Sequence, residues 1–219
     1  MRQLFRRFVI WAFERFYHEG AWTYDSVAWL VSRGYWRRWI AAVLPDLAGV
    51  AALELGCGTG YLQRERGAEP ARTAGLDESL PMLRLAGRKV RRAGGSPRLV
   101  RGLGQALPFA DASWPAVVAT FPAPYLFDPA TLAEVRRVLE PGGRLLIVDA
   151  GVVPPGWHQR LIAFVYRILL GQPESTPEAT ATGAPDQRVI RLEQLGFRVS
   201  AEWRTVGAGA VQVLTAEPA

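Results

Sequence analysis

The stretch Leu53-Glu54-Leu55-Gly56-Cys57-Gly58-Thr59-Gly60 constrains this chain more than any other. A short apolar run, Val50 to Leu55, ends in alternating glycines, and a helical pattern resumes near Gly60-Tyr61. That order predicts a buried strand, a tight turn and a helix start, the place where open α/β sheets bind ligands. Glycines at the turn let the backbone bend sharply and let a ligand approach with no Cβ in the way. The spacing is G-x-G-x-G. A dinucleotide turn needs G-x-G-x-x-G, and Tyr61 stands where its third glycine belongs. Glu54, at the strand end, would repel a pyrophosphate but attract an ammonium.

The runs that follow alternate in the same way. Thr73-Ala74-Gly75-Leu76 reads as a second strand, and Asp77 closes it. A carboxylate there can accept hydrogen bonds from both hydroxyls of a ribose lying across the strand ends. Ser79 fits the N-cap of a helix through Met82, Leu83, Leu85, Ala86 and Val90, with Gly94-Gly95 ending it. Arg98 to Arg101 and Ala116 to Thr120 read as third and fourth strands. Asp128 caps a helix through Leu139 that Pro141-Gly142-Gly143 stops, and Arg144 to Val148 is a fifth strand. Val189 to Leu195 is helical, and Phe197 to Arg204 with Ala210 to Thr215 suit a hairpin. Strands alternating with helices imply right-handed crossovers and a mostly parallel, Rossmann-like α/β sheet.

With 219 residues, 49% hydrophobic and 21% charged, the chain can bury a substantial core as one α/β domain. Residues 1–47 read as an N-terminal helical cap within that domain, and 48–219 as its ligand-binding body. The net charge of +6 comes from arginines spread among glutamates, so no nucleic-acid partner is expected. One cysteine excludes an internal disulfide, and two histidines give no metal site. A cytoplasmic location fits. The first helix carries Leu4, Phe5, Phe8, Val9, Ala12 and Phe16 on one face. It is read as a cap packed on the domain. The alternative is an interfacial helix gripping an anionic membrane, helped by Arg2, Arg6, Arg7 and Arg15. The Pro/Thr/Ala-rich stretch from Gly171 to Gln187 reads as a flexible linker ahead of a substrate lid.

Four motifs in order resemble the class I S-adenosylmethionine-dependent methyltransferases, in the subgroup of methyltransferase type 11 and ubiquinone/menaquinone C-methyltransferase-like domains. They are Leu53 to Gly60; Gly75-Leu76-Asp77-Glu78-Ser79-Leu80-Pro81-Met82-Leu83; Ala106 to Trp114; and Glu134 to Leu145. The resemblance implies a seven-stranded sheet in the order 3-2-1-4-5-7-6 with the last-formed strand antiparallel. It implies S-adenosylmethionine as cofactor and direct methyl transfer to a small acceptor, which the Trp-rich cap suggests is hydrophobic or lipid-like. Glu54, Gly56, Cys57, Gly58 and Gly60 would surround the methionine part. Asp77 and Glu78 would stand at the ribose, Met82 near the adenine, and Gly104, Gln105 and Ala106 at the adenine edge. Thr120 and Phe121 would face the methyl, and Tyr24 in Tyr24-Asp25 would close over the cofactor. Two departures stand out. Leu103 occupies the place of an acid that meets the adenine amino group, and Trp114-Pro115 replaces a Phe-Asp pair.

Other residues carry weaker expectations. His18, Tyr125 and His158 are candidates for the acceptor pocket. Cys57 lacks a visible base partner and reads as a small buried side chain. Two rival functions are a non-catalytic binding module on the same fold and a nicotinamide-dependent oxidoreductase, against which the glycine spacing and Glu54 both argue.

Overall fold

A computed structural model describes residues 25, 28–30, 32–66, 73–153 and 186–219. The short β-branched and apolar runs become strands because each has helices to bury it on both faces. β1 (Ala52–Leu55) and β2 (Thr73–Asp77) are buried throughout. β3 (Leu99–Arg101), β4 (Trp114–Thr120) and β5 (Leu139–Val152) complete the parallel part. β6 (Phe197–Val206) and β7 (Gly209–Pro218) form the expected hairpin across a two-residue turn. The sheet order is β3-β2-β1-β4-β5-β7-β6, and β7 runs antiparallel to both neighbours. The loops after β1 and β4 therefore emerge side by side at one edge, flanked by those after β2 and β5.

Alternation along the strands divides the core into two layers. Leu53, Leu55, Val117, Ala119, Leu145 and Ile147 face one side, against Leu132, Val135 and Leu192. Those three come from α4 (Pro129–Val138) and α5 (Gln187–Gln194). Ala52, Val118, Leu146 and Val148 face the other side with Trp39, Val43, Leu47 and Leu62. The helices there are α1 (Trp36–Ala41) and α2 (Tyr61–Glu65), with a 3-10 turn at Leu44–Leu47. Helix α3 (Leu80–Arg92) packs on α2 and β2.

Three local expectations change. Ser79 takes the N-cap position of α3, but its hydroxyl caps nothing. Asp77 Oδ1 accepts the Ser79 N–H instead, at 2.8 Å. Helix α4 ends at Val138, before Pro141-Gly142-Gly143. Those residues lie inside β5, where Gly142 at φ +77° lets the strand loop out and rejoin β4 beyond a register shift. β5 is consequently much longer than Arg144 to Val148. Asp128 does cap α4, accepting the Ala130 N–H at 3.1 Å. The amphipathic first helix and most of the stretch from Gly171 to Gln187 lie outside the described residues, as do Tyr24, His18 and His158.

Candidate cofactor site

The turn after β1 is held open by three glycines with positive φ: Gly56 at +65°, Gly58 at +49° and Gly60 at +77°. Gly60 has a packing reason as well. A Cβ there would lie 2.6 Å from the Ala86 Cβ, so glycine lets the loop press against α3. Cys57 is free and buried, as expected, against Gly75. Burial, with Glu54 and Asp77 nearby, pushes its thiol well above the usual range, which fits an inert packing residue.

Two acids bracket this turn. Asp77 is 2% exposed, and its Oδ2 accepts the Gly58 N–H at 2.8 Å while Oδ1 accepts the Ser79 N–H. The carboxylate thus pins the glycine turn to β2. Glu54 is 1% exposed and accepts a hydrogen bond from Gln63 Nε2 at 2.8 Å. Burial lifts its pKa from 4.5 to about 8, with Asp77 adding to the rise, while the Gln63 and Thr120 side chains oppose it. Burial thus favours the protonated form of Glu54 at neutral pH.

Around these acids the structure leaves groups suited to the rest of an adenosyl ligand. The Ser79 hydroxyl is buried with no hydrogen-bond partner among the described residues. Leu80 and Leu103 are 39% and 52% exposed, beyond the paired ends of β2 and β3. Leu103 and Ala106 bridge a tight turn that contains Gly104 and Gln105. Gln105 is exposed, with Nε2 3.4 Å from Asp128 Oδ2, and Glu78 is exposed beside Asp77. Met82, in the first turn of α3, is fully buried. Exposed leucines, two buried acids and a buried hydroxyl with no partner among the described residues suit a purine, a ribose and an ammonium. The residues present fit S-adenosylmethionine. The Asp77 carboxylate beside the turn does not fit a pyrophosphate.

At the tip of β4, Thr120 turns its side chain to Glu54. Phe121 adopts φ +47°, a strained conformation for an aromatic residue, and its N–H reaches the Val148 carbonyl at 2.6 Å. Its ring stacks on Trp36 with centroids 4.3 Å apart, and Trp39 lies 5.9 Å away. Trp39 in turn meets Tyr35. Tyr125 sits on a 3-10 turn, Pro124–Phe127, that follows this tip.

Three participants escaped the sequence reading. Gln63, on the first turns of α2, was the partner of Glu54; a polar residue on the inward face of that helix was the available sign. Asp25 of the cap accepts from the Thr59 hydroxyl at 2.7 Å and pairs with Lys89 on α3. It ties the cap to the glycine turn, although the cap reading had singled out its neighbour Tyr24. Trp36 was noted only as part of a Trp-rich region.

Comparison with known proteins agrees with this geometry. A family model described as a methyltransferase domain matches residues 52–143. The chain is 32% identical over 212 residues to demethylmenaquinone methyltransferase of Thermus thermophilus, covering 87% of this chain and 94% of that one. It is 30% identical to the protein of the same name from Thermobifida fusca, covering 86% of each. Solved structures share the fold. A SAM dependent methyltransferase from Aquifex aeolicus has TM-score 0.54 at 20% identity, covering 81% of this chain and 88% of that one. Magnesium protoporphyrin IX methyltransferase from Synechocystis, with bound SAH, has TM-score 0.56 at 14% identity, covering 86% of each.

Proposed function

The chain belongs to the class I S-adenosylmethionine-dependent methyltransferase family, and we propose that its acceptor is a hydrophobic, hydroxylated aromatic ring of the demethylmenaquinol type, methylated on carbon. The observation that carries this reading is the aromatic wall of Trp36, Phe121, Trp39 and Tyr35 at the tip of β4. A flat ring slides along such a wall with offset stacking, and a polar or macromolecular acceptor gains little from it. The names of the relatives from Thermus thermophilus and Thermobifida fusca support the same acceptor class.

S-adenosylmethionine, when bound, supplies an activated methyl on a sulfonium. The chain's own residues hold and align the partners. Glu54 gives up its proton and faces the ammonium as a carboxylate. Asp77, at the end of β2 beside the glycine turn, would accept from the ribose hydroxyls. Leu80 and Leu103 cover the purine, whose amino group is left without the usual acid because Leu103 replaces it. Trp36 and Phe121 strip water from the acceptor ring, and ring hydroxyls on the acceptor make its carbon nucleophilic. The Phe121 backbone strain of about 1–3 kcal/mol is the cost of turning that ring onto the wall.

The test is methyl transfer from S-adenosylmethionine labelled in the methyl group. Demethylmenaquinol analogues with short side chains are compared with catechols, small amines and a protein mixture, and products are read by mass spectrometry. Labelled methyl on the ring carbon of the quinol is expected. Transfer confined to polar or macromolecular acceptors would overturn the acceptor reading and leave the family assignment untouched.

A further inference from the structure

Tyr125 lies where the cofactor has to go. A Cβ built on Gly56 would stand 2.5 Å from the Tyr125 hydroxyl, so the phenol covers the first glycine of the turn. At the other end of the same ring, a Cβ on Gly104 would lie 3.2 Å from Cδ2 and Cε2. The ring therefore spans from the loop after β1 to the loop after β3, across the groove that a methionine and a ribose would fill. Its hydroxyl is within electrostatic reach of Asp77, Cys57, Glu54 and Glu78, the groups that line that groove, and burial raises its pKa above the ordinary tyrosine value. The two positions that face the ring are both glycine, and any side chain there would push it out.

The segment that carries the ring is braced. Pro122 and Pro124 fix φ on either side of Ala123, and the 3-10 turn is closed by the Leu126 N–H on the Ala123 carbonyl and the Asp128 N–H on the Tyr125 carbonyl. Phe121, at φ +47°, is the strained joint between β4 and this turn. Leu126 anchors the turn in the core, so the ring of Tyr125, which is half-buried, is the part free to swing.

We infer that Tyr125 is a gate on the cofactor groove: its ring closes over Gly56 and Gly104 and swings out when the cofactor enters. The inference rests on the assignment of this groove to the cofactor. A gate that is closed in most molecules lowers the apparent affinity by the open fraction.

S-adenosylhomocysteine is the probe, titrated into the parent protein, Tyr125→Phe and Tyr125→Ala, with folding of each checked by thermal unfolding. Tyr125→Ala removes the ring and is expected to bind about tenfold more tightly, the gain if roughly a tenth of the parent molecules are open. Tyr125→Phe keeps the ring and is expected to stay within about twofold of the parent, as the gate is steric. Weaker binding by Tyr125→Ala would overturn the inference, since the ring would then be a wall of the occupied site. A fluorine label on the ring of Tyr125 gives a readout without truncation. Its resonance is expected to move on saturation with S-adenosylhomocysteine, and an unmoved resonance overturns the gate. If the parent itself does not bind the probe, the groove assignment fails first, and that outcome is separate from either result for Tyr125.

Discussion

Replacing Glu54 with glutamine removes a buried carboxyl whose ionisation the fold opposes. Glu54 is 1% exposed, and its pKa stands at about 8 against an ordinary 4.5. The unfolded chain releases this proton near pH 4.5, and the folded chain keeps it to about pH 8. Between those values the native state binds the extra proton, so stability falls as pH rises, by about 1.4 kcal/mol per unit. Glutamine has nearly the same shape, can still accept from Gln63 Nε2, and does not titrate. The two proteins are therefore expected to be equally stable near pH 4.5. The variant is expected to be more stable by about 3 kcal/mol at pH 7 and by about 5 kcal/mol above pH 8. Equilibrium urea unfolding at pH 5, 6, 7 and 8 without ligand measures the difference. The same substitution is expected to abolish binding of S-adenosylhomocysteine, because the ammonium loses its carboxylate. In the parent, affinity is expected to rise with pH toward pH 8, with proton release on binding. A stability difference that stays constant across this range, or one that grows as pH falls, would refute the reasoning.

Other substitutions test other parts of the account. Gly60→Ala puts a Cβ 2.6 Å from Ala86 at φ +77° and is expected to destabilise the fold by about 3 kcal/mol, read as a lower Tm. Arg66, buried, donates to the Leu47 and Val50 carbonyls and to the Thr73 hydroxyl. Arg66→Met is expected to cost about 2–4 kcal/mol in chemical denaturation, as these acceptors lose their donor in the interior. Trp36→Ala removes the ring stacked on Phe121 and is expected to raise the KM for a hydrophobic acceptor about tenfold, with S-adenosylhomocysteine affinity unchanged.

The sheet was legible because each strand is marked twice, by its own apolar run and by the turn residues that end it. Glycine spacing and the two acids pointed to the turn after β1 for the same reason: these residue types have few other uses at strand ends. What escaped depends on distance in sequence. Gln63 reaches Glu54 only because α2 folds back over β1, and Asp25 reaches Thr59 and Lys89 only once the cap closes on α3. Tyr125 was read as a candidate pocket residue, but its place against Gly56 and Gly104 was hidden, since the sequence does not show which glycines its ring meets. The length of β5 was hidden by Pro141-Gly142-Gly143, which looks like a stop. Gly142 makes it a loop within the strand instead.

The central claim is that Glu54, the glycine turn and Asp77 form an adenosyl-cofactor site. Calorimetric titration of the parent protein and of Asp77→Ala with S-adenosylhomocysteine, and with NAD for comparison, tests it most directly. The account predicts that S-adenosylhomocysteine binds the parent, that NAD does not, and that Asp77→Ala weakens binding at least about tenfold as the ribose loses its acceptor. A parent that binds NAD as well as S-adenosylhomocysteine, or binds neither, would contradict it.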